Sequence, residues 1–565
     1  MNTITRTAAF AVLFGALLAS SSLSAQGASP RAQRVDPLTA SIGGTVTTAD
    51  TGAPVRGAEV RLSTNGSYNR LVTTDGDGRF ELPNLPAGEY RLAVSRAGFT
   101  SLQFGQRRPF EAPALIDLSE GERATANVAL IRGGAIYGRV YDQFGEPVAG
   151  TRVQALRSRM VQGQRRLQSV GAGDQTDDTG AFRVYGLAPG DYYVTASAGL
   201  ADSVKREPPL YYPGTPSFAE AQTVAIGPGA DAAADFQLVP LRSATVSGVV
   251  LGSAGAPVEA MVNLTSEAVG LGPVTDLAGT SAFAIHGDSG PSGAFTLEDV
   301  PPGPYTLTAM LFTPGGPGRP AGPGADTSVS PEDAMRRMPE AVSMPLVVTG
   351  DDVSGLTLVT RAAGVLTGTF VADSGVVGPL PTGLRVTTRG SNAGGISIWT
   401  TGRTAREFRV ASPSGPFHLD IQGLPEGWAV SAIVVDGADV TDQPIDLKGQ
   451  DATARVALTD RVTAVSGVVQ SRRDTADSSI VVFPDDRAKW TYPSRYVRIT
   501  RASDGGRFRI TGLPANERYF AVALDYLEDG EEQDAEWLDR LRGSATSFLL
   551  RESEQRSIDL DLIAR

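Results

Sequence analysis

The stretch DGRFELPNLPAGEY, from Asp77 to Tyr90, carries the pattern that decides the fold. Phe80 and Leu82 alternate with charged residues, which is the period of a β-strand with one buried face. Two prolines then remove backbone donors and end the strand, and the glycine that follows them supplies a turn. Apolar and polar residues alternate again from Tyr90 onward. The stretch therefore predicts a strand, a Pro-Gly turn and a second strand.

The same pattern returns along the chain, which identifies an internal repeat. Further copies begin at Asp178, Ser292 and Asp504, and a looser copy begins at Phe417. In three copies a tyrosine stands ten residues after the phenylalanine, as Tyr90, Tyr192 and Tyr305. An aromatic residue at this fixed spacing predicts a buried anchor in the core or at the corner of the turn.

A second motif, a glycine inside a β-branched run, precedes every copy, so the repeating unit is a pair of motifs. Five units of roughly 105 residues have a normal size for β-sandwich domains. We therefore expect an all-β chain of five tandem sandwiches. The predicted boundaries are 41–131, 132–241, 242–361, 362–461 and 462–565. Because the junctions are too short to be free linkers, the units predict a semi-rigid rod.

Two insertions and one charged run depart from the repeat. The third unit contains a Pro/Gly-rich insertion at 313–343 with a short helix, for which Ser330 is the predicted N-cap. In the last unit, residues 531–542 predict an amphipathic helix that covers the sandwich with Trp537 on its apolar face. The basic run RSRMVQGQRR at 157–166 is interpreted as a solvated loop, since the net charge of −12 argues against nucleic acid as a partner.

Residues 1–25 have the pattern of a secretory signal peptide, with one early arginine, an apolar run and small residues at the end, and 26–40 form a linker. The chain contains no cysteine, which excludes disulfides and thiolate chemistry and leaves each domain to its apolar core. No later segment offers ~18 consecutive apolar residues. We expect an exported protein, periplasmic or extracellular, with no membrane span after removal of the leader.

The repeated motifs resemble the bacterial secreted proteins built from carboxypeptidase regulatory-like domains. The resemblance rests on G-x-V…G-x-P-V-x-G-A-x-V at Gly44 to Val60 and on D-G-x-F…L-P-x-G-x-Y at Asp77 to Tyr90, and it covers most of the chain after the leader. It implies Ig-like or transthyretin-like β-sandwiches, a fold also classed as carbohydrate-binding-like. The family takes its name from a module attached to zinc carboxypeptidases that does not itself hold the metal, so the resemblance implies no peptidase activity.

Side chains suited to catalysis or metal binding are scarce. A zinc peptidase needs three protein ligands and a serine triad needs a histidine, whereas the chain has only His286 and His418, in different units. The Asp-Thr-Gly triplets at Asp50 and Asp178 occupy different turns of the repeat, and TDGDG at 74–78 lacks the remaining ligands of a calcium loop. All three are interpreted as turns. The sequence predicts no enzymatic activity, no metal and no cofactor.

Aromatic residues provide the remaining candidate binding site. Trp490, Tyr492 and Tyr496 cluster in KWTYPSRY, and Tyr211 and Tyr212 precede a Pro-Gly turn. Flat rings beside polar groups can stack on sugars, whereas the alternative interpretation is that they plug the open end of a sandwich. The leading hypothesis is a non-enzymatic interaction or scaffold protein of the cell envelope, with a protein or a polysaccharide as partner. The second hypothesis is carbohydrate binding through these aromatic residues.

Overall fold

The computed structural model describes residues 39–64, 69–197, 209–239, 243–266, 284–311, 340–376, 378–389, 398–401, 406–412, 415–471, 475 and 477–565. Within these ranges nearly all regular structure is β-strand, arranged as five successive units that each bury an apolar core between two layers. The predicted all-β fold of five tandem sandwiches is confirmed. The predicted leader at 1–25, most of the linker at 26–40 and the predicted short helix near Ser330 lie outside the described residues.

Unit 1 shows the pairing of the first strand that the other units repeat, with an antiparallel strand on one side and the last strands, parallel to it, on the other. Its strands are β1 (Ala40–Thr48), β2 (Glu59–Ser63), β3 (Asn69–Thr73), β4 (Arg79–Leu85), β5 (Gly88–Ser95), β6 (Leu102–Gln103), β7 (Ile116–Leu118), β8 (Arg123–Thr125) and β9 (Val128–Leu130). One layer places β1 between β4, which is antiparallel, and β8 and β9, which are parallel to it. The other layer forms around β2 and β5. Alternate side chains of both layers, such as Ile42, Leu82 and Leu92, fill the core.

Unit 2 keeps this order and adds a long hairpin. Its strands are β10 (Gly134–Tyr141), β11 (Arg152–Val161), β12 (Gln164–Gln175), β13 (Ala181–Leu187), β14 (Gly190–Ser197), β15 (Leu210–Tyr211), β16 (Thr223–Ile226), β17 (Asp231–Ala233) and β18 (Phe236–Gln237). β10 lies between β13 and the parallel strands β17 and β18. The basic run at 157–166 belongs to the β11–β12 hairpin, so the prediction of a loop there is wrong.

Units 3 and 4 repeat the parallel pairing of first and last strands, as β19 with β25 and β26 with β33. Unit 3 contains β19 (Ala244–Leu251), β20 (Ala260–Ser266), β21 (Ala284–Asp288), β22 (Ala294–Val300), β23 (Gly303–Leu311), β24 (Ala341–Val348) and β25 (Val353–Val359). Unit 4 contains β26 (Gly364–Ala372), β27 (Arg385–Arg389), β28 (Ile398–Thr401), β29 (Glu407–Ser412), β30 (His418–Gln422), β31 (Ala429–Val435), β32 (Ala438–Asp439) and β33 (Ala452–Thr459). Each unit again encloses its own apolar cluster.

Unit 5 carries an additional apolar layer outside its sandwich. Its elements are β34 (Ala464–Gln470), β35 (Ser479–Pro484), β36 (Arg498–Arg501), β37 (Arg507–Thr511), β38 (Glu517–Leu524), α1 (Ala535–Leu541), β39 (Thr546–Leu550), β40 (Gln555–Ser557) and β41 (Leu560–Ile563). Trp537 and Leu538 of α1 are buried against the outward side chains of β35 and β38, so this helix covers the sandwich as predicted. The predicted helix at 531–542 is shorter than expected, because Asp534 is extended and separates a 3-10 turn from α1.

The glycine of the first strand recurs because another segment of the same unit packs closely against it. A Cβ atom built on Gly44, Gly138, Gly248 or Gly467 would lie 2.0, 2.2, 2.3 or 1.6 Å from a backbone oxygen just before or at the unit's last strands. On Gly368 it would meet the ring of Phe408 at 2.0 Å. No side chain fits at these distances, so this glycine is a packing requirement of the first strand.

The tyrosine of the repeated DGRFELPNLPAGEY motif is the predicted anchor. Tyr90, Tyr192 and Tyr305 are at most 3% exposed. Their hydroxyls donate to the backbone oxygen four residues earlier, at 2.8, 2.5 and 2.9 Å. Tyr519 donates in the same way to Pro514, at 2.8 Å. Each ring therefore fills the core while its hydroxyl fixes the preceding turn.

The acidic turn before the phenylalanine is closed by its own aspartate. The Asp75 carboxylate accepts hydrogen bonds from the backbone N–H groups of Asp77 and Arg79, at 2.9 and 2.8 Å. Asp177 accepts from Thr179 and Ala181 at the corresponding place in unit 2, both at 2.9 Å. The interpretation of these segments as turns is confirmed.

The five units do not form an open row in which each contacts only its neighbours in sequence. The Tyr526 hydroxyl of unit 5 donates to the Pro109 oxygen of unit 1 at 2.9 Å. Arg157 of unit 2 pairs with Glu528 of unit 5 at 2.9 Å. The prediction of a rod is therefore wrong, because contacts between distant units fold the chain back on itself.

Candidate interaction site

Trp490 is the last residue of a short 3-10 turn that follows β35. The Asp486 side chain caps this turn by accepting a hydrogen bond from the Ala488 N–H. The Trp490 side chain is 2% exposed. The indole N–H donates to the Pro484 oxygen at 2.8 Å, and the ring packs edge-on against Phe483 with centroids 5.7 Å apart. Trp490 belongs to the same apolar layer as α1. In this structure neither face of its ring is available for stacking on a sugar.

Arg495 and Tyr496 connect unit 5 to unit 4. The Arg495 guanidinium makes two hydrogen bonds to the Asp442 carboxylate, at 2.7 and 3.1 Å. The Tyr496 hydroxyl donates to the same carboxylate at 3.0 Å, and burial raises the pKa of this phenol above its ordinary value. Bidentate pairing between a guanidinium and a carboxylate fixes geometry as well as charge. These residues therefore hold two sandwiches together.

Tyr492 lies where units 2 and 5 meet. It is partly buried. A Cβ atom built on Gly163, at the tip of the β11–β12 hairpin, would lie 2.7 Å from the Tyr492 Cβ, so the hairpin backbone rests directly on this residue. The Gly163 N–H also donates to the Gln533 side chain at 2.8 Å. The segment from Lys489 to Tyr496 is thus a junction between sandwiches.

Tyr211 and Tyr212 lie within unit 2 and are not brought together with the unit 5 aromatics. Tyr211 is 5% exposed and packs against Leu156 and Leu167, and burial raises its pKa to about 12. Tyr212 is partly buried, with its ring 5.7 Å from that of Phe236. Sugar binding at these five positions stays a prediction, and only Tyr492 and Tyr212 retain partial exposure for it.

A further contact between units joins the hairpin of unit 2 to the acidic segment after β38. Arg157 and Arg159 approach opposite oxygens of the Glu528 carboxylate, at 2.9 and 3.2 Å. Their side chains are only 16–21% exposed. At the edge of the contact, Arg165 pairs with Asp534 at 2.7 Å. Burial raises the pKa of Glu528 above its ordinary value, although both arginines favour its charged form.

Unit 1 completes this contact through a loop centred on Phe110. The guanidinium groups of Arg157 and Arg159 lie 4.3 and 5.5 Å from the centre of the Phe110 ring. The Asp529 N–H donates to the Phe110 oxygen at 2.8 Å. We call the contact formed by the β11–β12 hairpin, the Phe110 loop and residues 525–534 the three-unit clamp.

Sequence reasoning missed the clamp because its partners are far apart in the chain and lie in different repeats. The Arg108–Asp525 pair, for instance, spans 417 residues. One signal was available. The unit 2 hairpin has an excess of arginine, and the segment after β38 has an excess of carboxylates. When two units of a repeat protein carry additional charges of opposite sign, contact between those two units is favoured.

The two histidines are distant from each other in sequence and occupy different sandwiches. His286 Nδ1 lies 2.7 Å from the Asn263 side-chain oxygen, and His418 lies at the start of β30, where burial lowers its pKa. Across the part of the chain that the structure describes, no group of three or more His, Asp or Glu side chains is placed to hold a metal ion. None of the helices in the described ranges is long and apolar enough to cross a membrane.

A family model of the carboxypeptidase regulatory-like domain matches residues 41–131 and 135–239. No curated protein matches. Similar solved structures include the Bacillus anthracis TIE protein, with 15% identity, 57% of this chain and 50% of that chain covered, and a TM-score of 0.14. The chain thus spans about half the length of that protein.

Two pilins are also similar. The minor pilin GBS52 of Streptococcus agalactiae has 17% identity, with 35% of this chain and 96% of that chain covered and a TM-score of 0.19. BcpA, the major pilin subunit of Bacillus cereus, has 12% identity, with 57% of this chain and 99% of that chain covered and a TM-score of 0.13. TM-scores this low transfer nothing from those proteins to this chain.

Proposed function

Residues 41–131 and 135–239 are carboxypeptidase regulatory-like domains, and from this premise we propose that the protein is a non-enzymatic, exported scaffold of the cell envelope. In this proposal the five sandwiches present binding surfaces for a protein or a polysaccharide. The carboxypeptidase regulatory-like module is an accessory domain by resemblance, and fold alone does not specify a role. The proposal therefore depends on how the units are joined.

The three-unit clamp is the observation that carries the proposal. Interfaces between domains in one chain are ordinarily small and permit relative motion. Here Arg157 and Arg159 of unit 2 contact both oxygens of Glu528 in unit 5, and both guanidinium groups also lie over the Phe110 ring of unit 1. The clamp thereby holds units 1, 2 and 5 in a defined arrangement. A fixed arrangement of binding surfaces is what a scaffold requires.

Export is the second part of the proposal and rests on the leader pattern of residues 1–25. Full-length chain produced in a bacterium with two membranes should be recovered from the periplasm or the medium, shortened at its N-terminus. A variant lacking residues 2–25 should remain in the cytoplasm. Cytoplasmic recovery of the full-length chain would contradict export.

The scaffold role is tested by reversing charges in the clamp of the full chain. Glu528→Arg places a third guanidinium beside Arg157 and Arg159 and should open the clamp. Combining it with Arg157→Glu and Arg159→Glu restores opposite charges and should close it again. The matched control is Glu120→Arg, an exposed carboxylate of unit 1. Because the chain lacks cysteine, opening can be followed between spin labels at Gln143→Cys and Ser547→Cys without background.

Partner capture is then measured for each variant by cross-linking in cells that export the chain. Envelope partners should be captured by the unmodified chain and by Glu120→Arg, lost in Glu528→Arg and regained in the triple variant. Equal capture by the opened variant would refute a scaffold that depends on the clamp. Hydrolysis of an ester, peptide or glycoside by the purified chain, abolished by one substitution, would refute the non-enzymatic role.

A further inference from the structure

Comparison of the five repeats distinguishes residues that the fold requires from residues that only one unit carries. The residue immediately before the repeated glycine of the first strand is small or polar in four units, as Gly43, Ser247, Thr367 and Ser466. In unit 2 the same position is Tyr137. Since four sandwiches form without an aromatic residue there, folding does not explain this tyrosine.

Tyr185 makes a second such difference on the neighbouring strand. The positions that correspond to it, three residues after the phenylalanine, are Pro83, Glu298 and Thr511. β10 and β13 pair Ala135 with Tyr185 and Tyr137 with Arg183. The two tyrosines therefore lie diagonally across two strands on one face, roughly 7–8 Å apart. They are 47% and 40% exposed.

Further aromatic residues continue this line along β10. Tyr141 lies four residues beyond Tyr137 on the same face, which corresponds to about 13 Å along the strand, and is partly exposed. Phe144, in the turn after β10, is 80% exposed. We call Tyr185, Tyr137, Tyr141 and Phe144 the aromatic stripe. Its three tyrosines share one outer face of unit 2 and Phe144 lies in the adjoining turn, whereas Trp490, Tyr496 and Tyr211 are buried.

Charged and amide side chains border the aromatic stripe. Arg183, opposite Tyr137, pairs with Asp231 at 2.8 Å. Gln237 is exposed and pairs in register with Tyr141. Arg139, between the two β10 tyrosines, is exposed and makes no ion pair within 4 Å among the residues that the structure describes. Donors and acceptors thus alternate with the rings.

This combination fits a polysaccharide better than a protein. A stable protein interface buries about 800 Å² on each partner around a core depleted of charge. The stripe is one ring wide and has charged residues along it, so it offers no such core. A linear sugar chain instead presents flat apolar ring faces and hydroxyl edges, which match exposed aromatic rings bordered by hydrogen-bonding groups.

We propose that the aromatic stripe of unit 2 is a binding site for a linear polysaccharide, with pyranose rings stacked on Tyr137 and Tyr185. Hydroxyl groups of the sugar are bound by the Arg183–Asp231 pair, and Arg139 favours a chain that carries carboxylates. This proposal specifies a partner of the proposed scaffold, and the two can fail separately because the stripe uses no residue of the three-unit clamp.

The test is affinity electrophoresis of the full chain through gels that contain either a neutral polysaccharide, hydroxyethyl cellulose, or an acidic polysaccharide, polygalacturonate. The double variant Tyr137→Ser and Tyr185→Thr inserts residues that other units carry at these positions, so the fold should persist. Leu549→Ser is the control, since Leu549 is also 47% exposed and lies in unit 5. Tyr137→Phe retains the ring and should retain binding.

Loss of both rings should weaken retention by at least about tenfold. Arg139→Ala should weaken retention by polygalacturonate alone. The proposal is overturned if neither polysaccharide retards the unmodified chain, if the double variant is retarded equally, or if Leu549→Ser loses as much. If neither polysaccharide retards the unmodified chain and the double variant no longer captures an envelope protein, the stripe is assigned to a protein partner instead.

Discussion

Gly43 and Gly44 are neighbours in β1, yet the space around them differs. A Cβ atom on Gly43 would lie 3.6 Å from the Phe80 oxygen, an ordinary contact, whereas one on Gly44 would lie 2.0 Å from the Ala126 oxygen. The backbone at Ala126 cannot withdraw without breaking its hydrogen bond to the Gly43 oxygen, 2.8 Å long. The repeated glycine is thus constrained by its neighbour in space.

We predict that Gly44→Ala destabilises unit 1 by about 2–3 kcal/mol or more, because the added methyl group forces the strands apart. Gly43→Ala should change the stability by no more than about 1 kcal/mol. Native-state hydrogen exchange at amides of β1 and β4 measures the free energy of opening of this unit within the full chain. Equal effects of the two substitutions would show that the close approach does not limit packing.

The buried tyrosine hydroxyls allow a second prediction at this scale. Tyr192→Phe leaves the Ala188 oxygen without its hydrogen bond in a buried turn and should destabilise unit 2 by about 1–3 kcal/mol. Tyr193→Phe is the control, because its ring packs on Phe218 at the edge of the unit. Hydrogen exchange in β13 and β14 reports the difference. A larger effect of Tyr193→Phe would contradict the anchoring role.

Sequence reasoning succeeded for residues whose partners lie nearby in the chain. Tyr90 was predicted as an anchor because its hydrogen-bond acceptor is four residues away. Sequence reasoning could not decide whether Trp490 is exposed or buried, because α1, which shares its apolar layer, lies about fifty residues later in the chain. It also did not single out Tyr137, since exposure depends on which sheet face lacks a covering layer.

At the scale of elements, Asp534 both caps α1 and contacts another unit. The Asp534 carboxylate accepts hydrogen bonds from the Glu536 and Trp537 N–H groups, at 2.9 and 3.4 Å, and caps the helix. It also pairs with Arg165 of unit 2. Apolar periodicity predicted a helix from 531 but could not show that Asp534 starts it, because an aspartate inside an acidic run is equally compatible with a helix interior.

We predict that Asp534→Asn keeps the cap and weakens only the contact with Arg165, whereas Asp534→Ala removes both. The difference should be about 1 kcal/mol in the stability of α1. Hydrogen exchange of the Leu538 N–H, which donates to the Asp534 oxygen, measures it. Equal loss of protection in both variants would mean that the ion pair alone maintains the helix.

At the scale of the whole molecule, the three-unit clamp contains two partly buried carboxyl groups, Glu528 and Glu532. Burial raises the pKa of Glu528 and of Glu532 in the folded chain. A carboxyl group whose folded pKa exceeds its unfolded value stabilises the fold below the unfolded pKa, and that contribution is lost as pH rises through the folded pKa. Among charged residues, Arg157 and Arg159 oppose this effect at Glu528, and Asp529 adds to it at Glu532.

We therefore predict a tighter clamp at pH 5 than at pH 7.5, the opposite of what surface carboxylates paired with cations produce. Protection of the Asp529 N–H, which donates to Phe110 of unit 1, should rise on acidification after correction for intrinsic exchange rates. The variant with Glu528→Gln and Glu532→Gln should show a flatter dependence. Falling protection of this amide in the unmodified chain would contradict the assignment.

The parallel pairing of first and last strands sets how a sandwich responds to mechanical force. In unit 1, β1 and β9 lie side by side and run in the same direction, so the chain enters at one end of this pair and leaves at the other. Tension on the two ends therefore slides these strands along each other. Their hydrogen bonds are strained together and do not open one after another. Each unit should consequently resist pulling more strongly than a hairpin opened from its ends, whatever its thermal stability.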